Sequence, residues 1–223
     1  MLNCISNIAW DFQDTKRVFE LMVTNNIYNV EIAPLELIDC WEFPNYKKMF
    51  LFCDMCKDYD IKISSMQAIF YKKNINIFYN TKEALKHMSY IQKICNLINC
   101  RYIVFGSPKN RKINKKEKDE RQAMFEINKF FKTLEFQKDF IKIGIEANPE
   151  EYGSNFLINY HEILCYMQQF NELENVRTHF DIGCHILSNN NSPLNTESLK
   201  IENMHLSMEY LRNDCGVLEN NYK

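Results

Sequence analysis

Seven times along this chain, a short run of apolar and β-branched residues gives way to a few polar residues and then to a stretch with helical period. The runs are Asn3–Ala9, Asn29–Ala33, Lys62–Gln67, Tyr102–Phe105, Lys142–Glu146, Val176–Asp181 and Asn203–Ser207. Each has the length of a single strand. Between them apolar residues recur at helical spacing. Val18, Leu21 and Met22 share one face. Leu85, Met88, Ile91 and Cys95 share another, and Met124, Ile127, Phe131 and Leu134 a third. Such aromatic and methionine stripes read as core. Thr81 stands before the second stripe, where a hydroxyl can cap a helix. Strands alternating with helices call for a parallel sheet covered by its own crossovers.

An open doubly wound sheet and a closed barrel both satisfy that pattern. No G-x-G-x-x-G follows the first run, and the chain holds only 5 glycines, which argues against a dinucleotide-binding sheet. The polar residues favour the barrel. Glu31, Gln67, Ser107, Glu146, Asp181 and His205 all fall at or just past the C-terminal ends of the runs. In a barrel that is the face where chemistry is assembled. The expected fold is therefore α/β, of the TIM (β/α)8-type barrel class. A full barrel takes about 250 residues, roughly 31 per strand–helix unit, so 223 residues hold about seven units. The residues after His205 offer no further strand. The reading is one domain over 1–223, an incomplete barrel of seven units truncated at its C-terminal end. Two open strand edges result, and pairing into a homo-oligomer is one way to cover them.

Composition narrows the partners. The formal net charge is -2, so no global basic field draws nucleic acid or a membrane surface. The N-terminus lacks the pattern of a signal peptide, and no window has the length of a membrane span. A soluble, cytoplasmic protein with reduced thiols is expected, although the chain has nine cysteines. The closest pair, Cys53-x-x-Cys56, lies in a helical stretch with no second pair to complete a zinc knuckle, so it reads as helix packing.

Glu146, Asp181 and His205 form the strongest constellation. Each ends a different run, and two carboxylates with an imidazole suit a divalent ion such as Mn²⁺, Mg²⁺, Co²⁺ or Zn²⁺. An ion-pair network at the barrel mouth is the competing reading. Lys109 and Arg111 follow the fourth run and could bind a phosphate or carboxylate, Arg111 with a bidentate fork. Lys112, Lys115, Lys116 and Lys118 follow, so a solvated basic loop is the alternative. Gln67 could bond a sugar hydroxyl. Trp10 could form an apolar pocket wall. Glu31 could ion-pair or support neighbouring loops.

Seven segments carry a resemblance: SNIAW, NVEIAP, ISSMQAIFY, FGSPKNR, GIEANPEEYG, HFDIG and HLSMEYL, in this order over nearly the whole chain. Together they resemble one branch of the sugar phosphate isomerase/epimerase family with the xylose-isomerase-like barrel. That resemblance implies a divalent metal held by a Glu, an Asp, a His and a final Glu from four strands. The first three fall on Glu146, Asp181 and His205, and the fourth has no counterpart in this sequence. The family often has Asp-x-x-His or Asp-x-x-Asn at the sixth strand. Here Cys184 takes that place, and His185 follows one step later as a candidate substrate contact. His179, two residues before Asp181, reads as a barrel-interior or supporting residue.

The implied activity is isomerisation or epimerisation of a sugar or sugar phosphate by proton transfer next to a carbonyl. The metal would polarise the carbonyl, and Glu146 would act as base or acid. The absent final Glu favours an alternative: an impaired barrel that binds a ligand or partner without turnover. Endonuclease-IV-like phosphodiester hydrolysis is a third reading. It expects histidines on the early strands, which are missing, and has only the basic run in its favour.

Overall fold

The computed structural model describes residues 3–135, 141–188 and 197–206. Seven strands lie within them: β1 (Ile5–Ser6), β2 (Asn29–Ile32), β3 (Lys62–Met66), β4 (Tyr102–Phe105), β5 (Lys142–Glu146), β6 (Val176–Asp181) and β7 (Ile201–His205). They form one parallel sheet in sequence order, with β1 and β7 as its edges. The sheet curls into an incomplete TIM barrel. The helices are α1 (Thr15–Thr24), α2 (Leu35–Ile38), α3 (Tyr46–Asp58), α4 (Thr81–Leu97), α5 (Glu120–Glu135), α6 (Tyr160–Gln169) and α7 (Ile182–Leu187).

Strand alternation sorts the side chains into two chemistries. Val30, Ile32, Ile103, Phe105, Ile143 and Ile145 belong to the apolar core under the helices. There Phe105 meets Phe131 of α5 edge to face, with centroids 5.2 Å apart. One residue over in register, Glu31, Tyr102, Gly144, Glu146, His179 and Asp181 face the inside of the curl. The apolar face drives folding, and the inner face is left free to carry charge.

α3, α6 and α7 start where a side chain accepts an orphan amide. Asn45 Oδ1 takes the Lys47 N–H at 3.1 Å to cap α3. Asn159 Oδ1 takes the Glu162 N–H at 3.0 Å to cap α6, and Glu162 reaches back to the Ile158 N–H at 3.1 Å. Each such cap contributes about 1 kcal/mol. Thr81 is not a cap: it is the first residue of α4, and its hydroxyl donates to the Ile77 carbonyl at 2.9 Å.

Strand bounds for β4, β5 and β6 match the sequence reading, and the others shift. β1 ends at Ser6, because residues 7–9 turn into a 3-10 helix. Buried Asn7 takes over the pairing with its side chain, accepting the Ala33 N–H at 2.7 Å. β7 starts at Ile201, two residues earlier than expected, and Ser207 lies outside the described residues. The buried line of α1 is Thr15, Phe19 and Met22 rather than Val18, Leu21 and Met22, and Leu21 is 56% exposed. Phe19 wins that face by stacking edge to face with Phe52 (5.4 Å) and Tyr59 (5.9 Å). Cys53 and Cys56 lie on α3 as packing residues, and burial pushes the Cys56 thiol up to about 12. No helix of the described residues is long and apolar enough to cross a membrane.

Candidate metal centre

The inner face of the curl concentrates its polar groups at the C-terminal ends of β2, β5, β6 and β7. Glu146 closes β5. Its Oε2 accepts the Asn148 amide at 2.8 Å. Gly106, just past β4, leaves room for that carboxylate, since a Cβ there would lie 2.4 Å from Glu146 Oε2. From β6, His179 places Nε2 3.8 Å from Glu146 Oε1. From β7, His205 places Nδ1 3.7 Å from Glu146 Oε1 and 3.8 Å from Asp181 Oδ2. The two imidazoles lie 4.0 Å apart, centroid to centroid. Asp181 also opens α7, where its Oδ1 accepts the Cys184 N–H at 2.7 Å.

Glu31 completes the cluster from the far side. Its Oε1 accepts the His205 Nε2–H at 2.8 Å, and its Oε2 accepts the Ser65 hydroxyl at 2.7 Å. This carboxylate holds the ring of His205 so that Nδ1 turns toward Glu146 and Asp181.

Two register shifts aim these side chains. One falls at Val30/Glu31 against β3 and sets Glu31 opposite Ser65. The other falls at Thr178/His179 against β7 and sets Asp181 opposite His205. Without the second, Asp181 would stand opposite Met204, and the imidazole would sit one residue out of step.

Electrostatics follow from this crowding. Burial opposes ionisation of Glu146, yet His205, His179 and Asn148 outweigh it and hold the carboxyl below its usual range. Burial likewise works against a charged His205, but the Glu146 and Glu31 carboxylates prevail and push it up to about 10. His179 goes the other way. Burial, reinforced by the neighbouring His205, presses it down to about 4, so its ring is neutral. Three carboxyl groups and two imidazoles therefore share one partly buried space. Such mixed nitrogen and oxygen donors suit a divalent cation. Ligand atoms of Glu146, His179 and His205 all lie within 4.8 Å of one another.

The remaining sequence candidates divide. Gln67 is half-buried beside the curl, and its Nε2 donates to Ser6 Oγ at 2.5 Å. Lys109 is exposed and lines a basic cleft of about 870 Å³ together with Lys72, Lys73, Lys112, Lys115 and Lys116. Arg111 is fully buried. Its guanidinium donates to the carbonyls of Glu146 (2.7 Å) and Leu157 (3.2 Å), so it ties the end of β5 to the following loop. Trp10 packs on Phe19 of α1 at 6.3 Å, and its indole donates to Thr15. His185 packs against Phe180 (5.3 Å) and Tyr160 (5.9 Å). Phe180 alternates with His179 and Asp181, so this ring lies on the helix side of β6, apart from the cluster.

No protein-family model and no curated protein sequence matches this chain. Solved structures do. A xylose isomerase domain-containing protein from Salmonella typhimurium superposes with a TM-score of 0.66 at 14% identity, over 92% of this chain and 70% of that one. This is a xylose-isomerase-like fold. D-psicose 3-epimerase from Clostridium cellulolyticum, solved with D-tagatose, gives 0.65 at 14% identity, over 93% of this chain and 73% of that one. The IolI protein, solved with a zinc atom, gives 0.58 at 14% identity, over 90% and 70%. At such identities the likeness speaks for the xylose-isomerase-like barrel alone, and any chemistry must be argued from this chain's own residues.

Proposed function

We propose that this protein is a metal-dependent sugar or sugar-phosphate isomerase or epimerase that transfers a proton next to a carbonyl. The observation that carries the reading is the convergence of Glu146, Asp181 and His205 from three adjacent strands at the C-terminal mouth. Sugar-epimerising neighbours on the same fold add weight. A bound divalent ion would polarise the substrate carbonyl. Glu146, Asp181 and His205 are the residues to hold it.

The chain's own groups supply the rest. Glu146 is held ionised and is the available base for a carbon-bound proton. Asn148 fixes one of its oxygens and thereby aims the other at His205. Glu31 and Ser65 orient His205. Gln67, at the end of β3, is the candidate for a sugar hydroxyl. Lys109, with the other lysines of its cleft, is the candidate for a substrate phosphate or carboxylate. Arg111 serves the site from behind by pinning the carbonyl of Glu146.

The test is metal analysis of the purified chain, followed by a screen of ketoses and their phosphates with the ion found. Glu146→Gln and His205→Ala run in parallel. Turnover in wild type that Glu146→Gln abolishes supports the proposal. A metal-loaded chain inert toward every ketose would instead favour a barrel that binds without turnover.

A further inference from the structure

We infer that His179 is itself a metal ligand, so the centre holds two imidazoles and selects Zn²⁺ or Co²⁺ over Mg²⁺. This deepens the metal-centre reading above and rests on it. The ligand set that the resemblance implies takes only Asp181 from β6, and His179 is an addition drawn from this chain's geometry.

His179 is completely buried, and its Nε2 has no hydrogen-bond partner among the described residues. Its separation from Glu146 Oε1, 3.8 Å, is too long for a hydrogen bond. A buried ring nitrogen left in that state is costly, and burial is tolerated when a partner satisfies it. The atom points into the cluster rather than into apolar packing, because Glu146 Oε1 and the His205 ring are its neighbours. Four-coordinate zinc, with bonds of about 2.0–2.1 Å, spaces its ligand atoms about 3.3–3.4 Å apart. The 3.7–3.8 Å separations around Glu146 Oε1 are within a few tenths of an ångström of that. The opposite nitrogen is provided for as well. His179 Nδ1 lies 3.5 Å from Tyr102 Oη, which can accept its proton and leave the Nε2 lone pair for an ion.

Donor chemistry then determines the ion. Carboxylates alone suit Mg²⁺ and Mn²⁺, while two imidazoles beside two carboxylates move the preference to borderline ions. The experiment loads the full chain with Zn²⁺ and counts imidazoles by X-ray absorption at the zinc edge. Zn²⁺ affinity is measured in parallel by chelator competition, with millimolar Mg²⁺ present. The inference expects two imidazoles in wild type and one in His179→Gln. It also expects Zn²⁺ affinity in that variant to fall by at least about a hundredfold, the share of one ligand in a four-ligand zinc site. Tyr102→Phe, which perturbs the same packing but keeps both rings, should retain two imidazoles.

One imidazole in wild type, with His179→Gln binding as tightly, overturns the inference and leaves the metal-centre reading standing. A wild-type chain that binds no Zn²⁺ sinks both. If His179→Gln does not fold, the imidazole count of wild type alone still decides.

Discussion

Gly144 is the position where one added methyl should do the most damage. It lies on β5, facing inward between Tyr102 of β4 and His179 of β6. A Cβ built there would lie 1.8 Å from Tyr102 Oη, 2.5 Å from Tyr102 Cζ and 2.9 Å from His179 Cβ. Ordinary contact would require the tyrosine ring to retreat by about 1.5 Å, and tightly packed interiors resist such movement. Overpacking by one methyl costs about 1–3 kcal/mol, and three simultaneous contacts put Gly144→Ala at the upper end, ~3 kcal/mol. For a domain of this size each kcal/mol lowers Tm by about 2–4 °C, so a fall of roughly 6–12 °C is expected. Urea unfolding of a double-mutant cycle locates the cause. Tyr102→Phe removes only the nearest atom and should rescue Gly144→Ala in part. Tyr102→Ala is costly alone but should couple to Gly144→Ala more strongly. A Gly144→Ala protein within about 0.5 kcal/mol of wild type, or one with no coupling to Tyr102, would refute the packing argument.

Three further expectations follow from the same geometry. Glu31→Gln should keep the fold but weaken metal affinity about 10–100-fold, because it loosens the orientation of His205, and calorimetric titration reads this directly. Gly106→Ala should push the Glu146 carboxylate out of place, since the new Cβ meets the mobile end of that side chain; metal affinity and turnover fall while the urea midpoint barely moves. His87 sets an acid limit on stability. Burial, reinforced by Lys73, lowers it below its usual 6.5, against the Ile69 carbonyl bond and Glu42. The unfolded chain then takes up the proton first, so stability is full above pH 6.5 and falls as pH drops through the folded value. His87→Phe, packed between Trp41 and Phe70, should flatten that part of the pH profile, and an unchanged profile would count against the assignment.

Much of the architecture was legible because two periods do not overlap. β4, β5 and β6 are short runs rich in apolar and β-branched residues, each closed by a glycine or a polar residue, so their limits follow from the sequence alone. The convergence of Glu146, Asp181 and His205 was legible for a related reason: each closes a different run, and the two carboxylates there need a compensating partner. What local pattern could not reveal were features made by distant partners. The register shifts beside Glu31 and His179 depend on how neighbouring strands pair, and no residue within either strand signals them. Asn7 ends β1 through a bond to Ala33, and Phe19 displaces Leu21 through rings on α3 and beyond. Arg111 read as a phosphate- or carboxylate-binding cation, or part of a solvated basic loop, because it follows β4 in a lysine-rich run, yet carbonyls from two other segments draw it inside. The one available signal for His179 was its spacing of two from Asp181, which places both on the same face of a strand.

The bond between Glu31 and His205 joins the second strand to the seventh, across more than three quarters of the sequence. A contact of such sequence separation carries more loop-closure entropy than the pairing of neighbouring strands. The cluster therefore cannot close before β7, the last of the described strands in sequence, has paired. Nascent chains holding the first six strands contain Glu31, Glu146 and Asp181 but no finished site. An ion captured by the completed cluster would act as a kinetic clasp, slowing the unzipping of β7 more than it speeds the arrival of that strand.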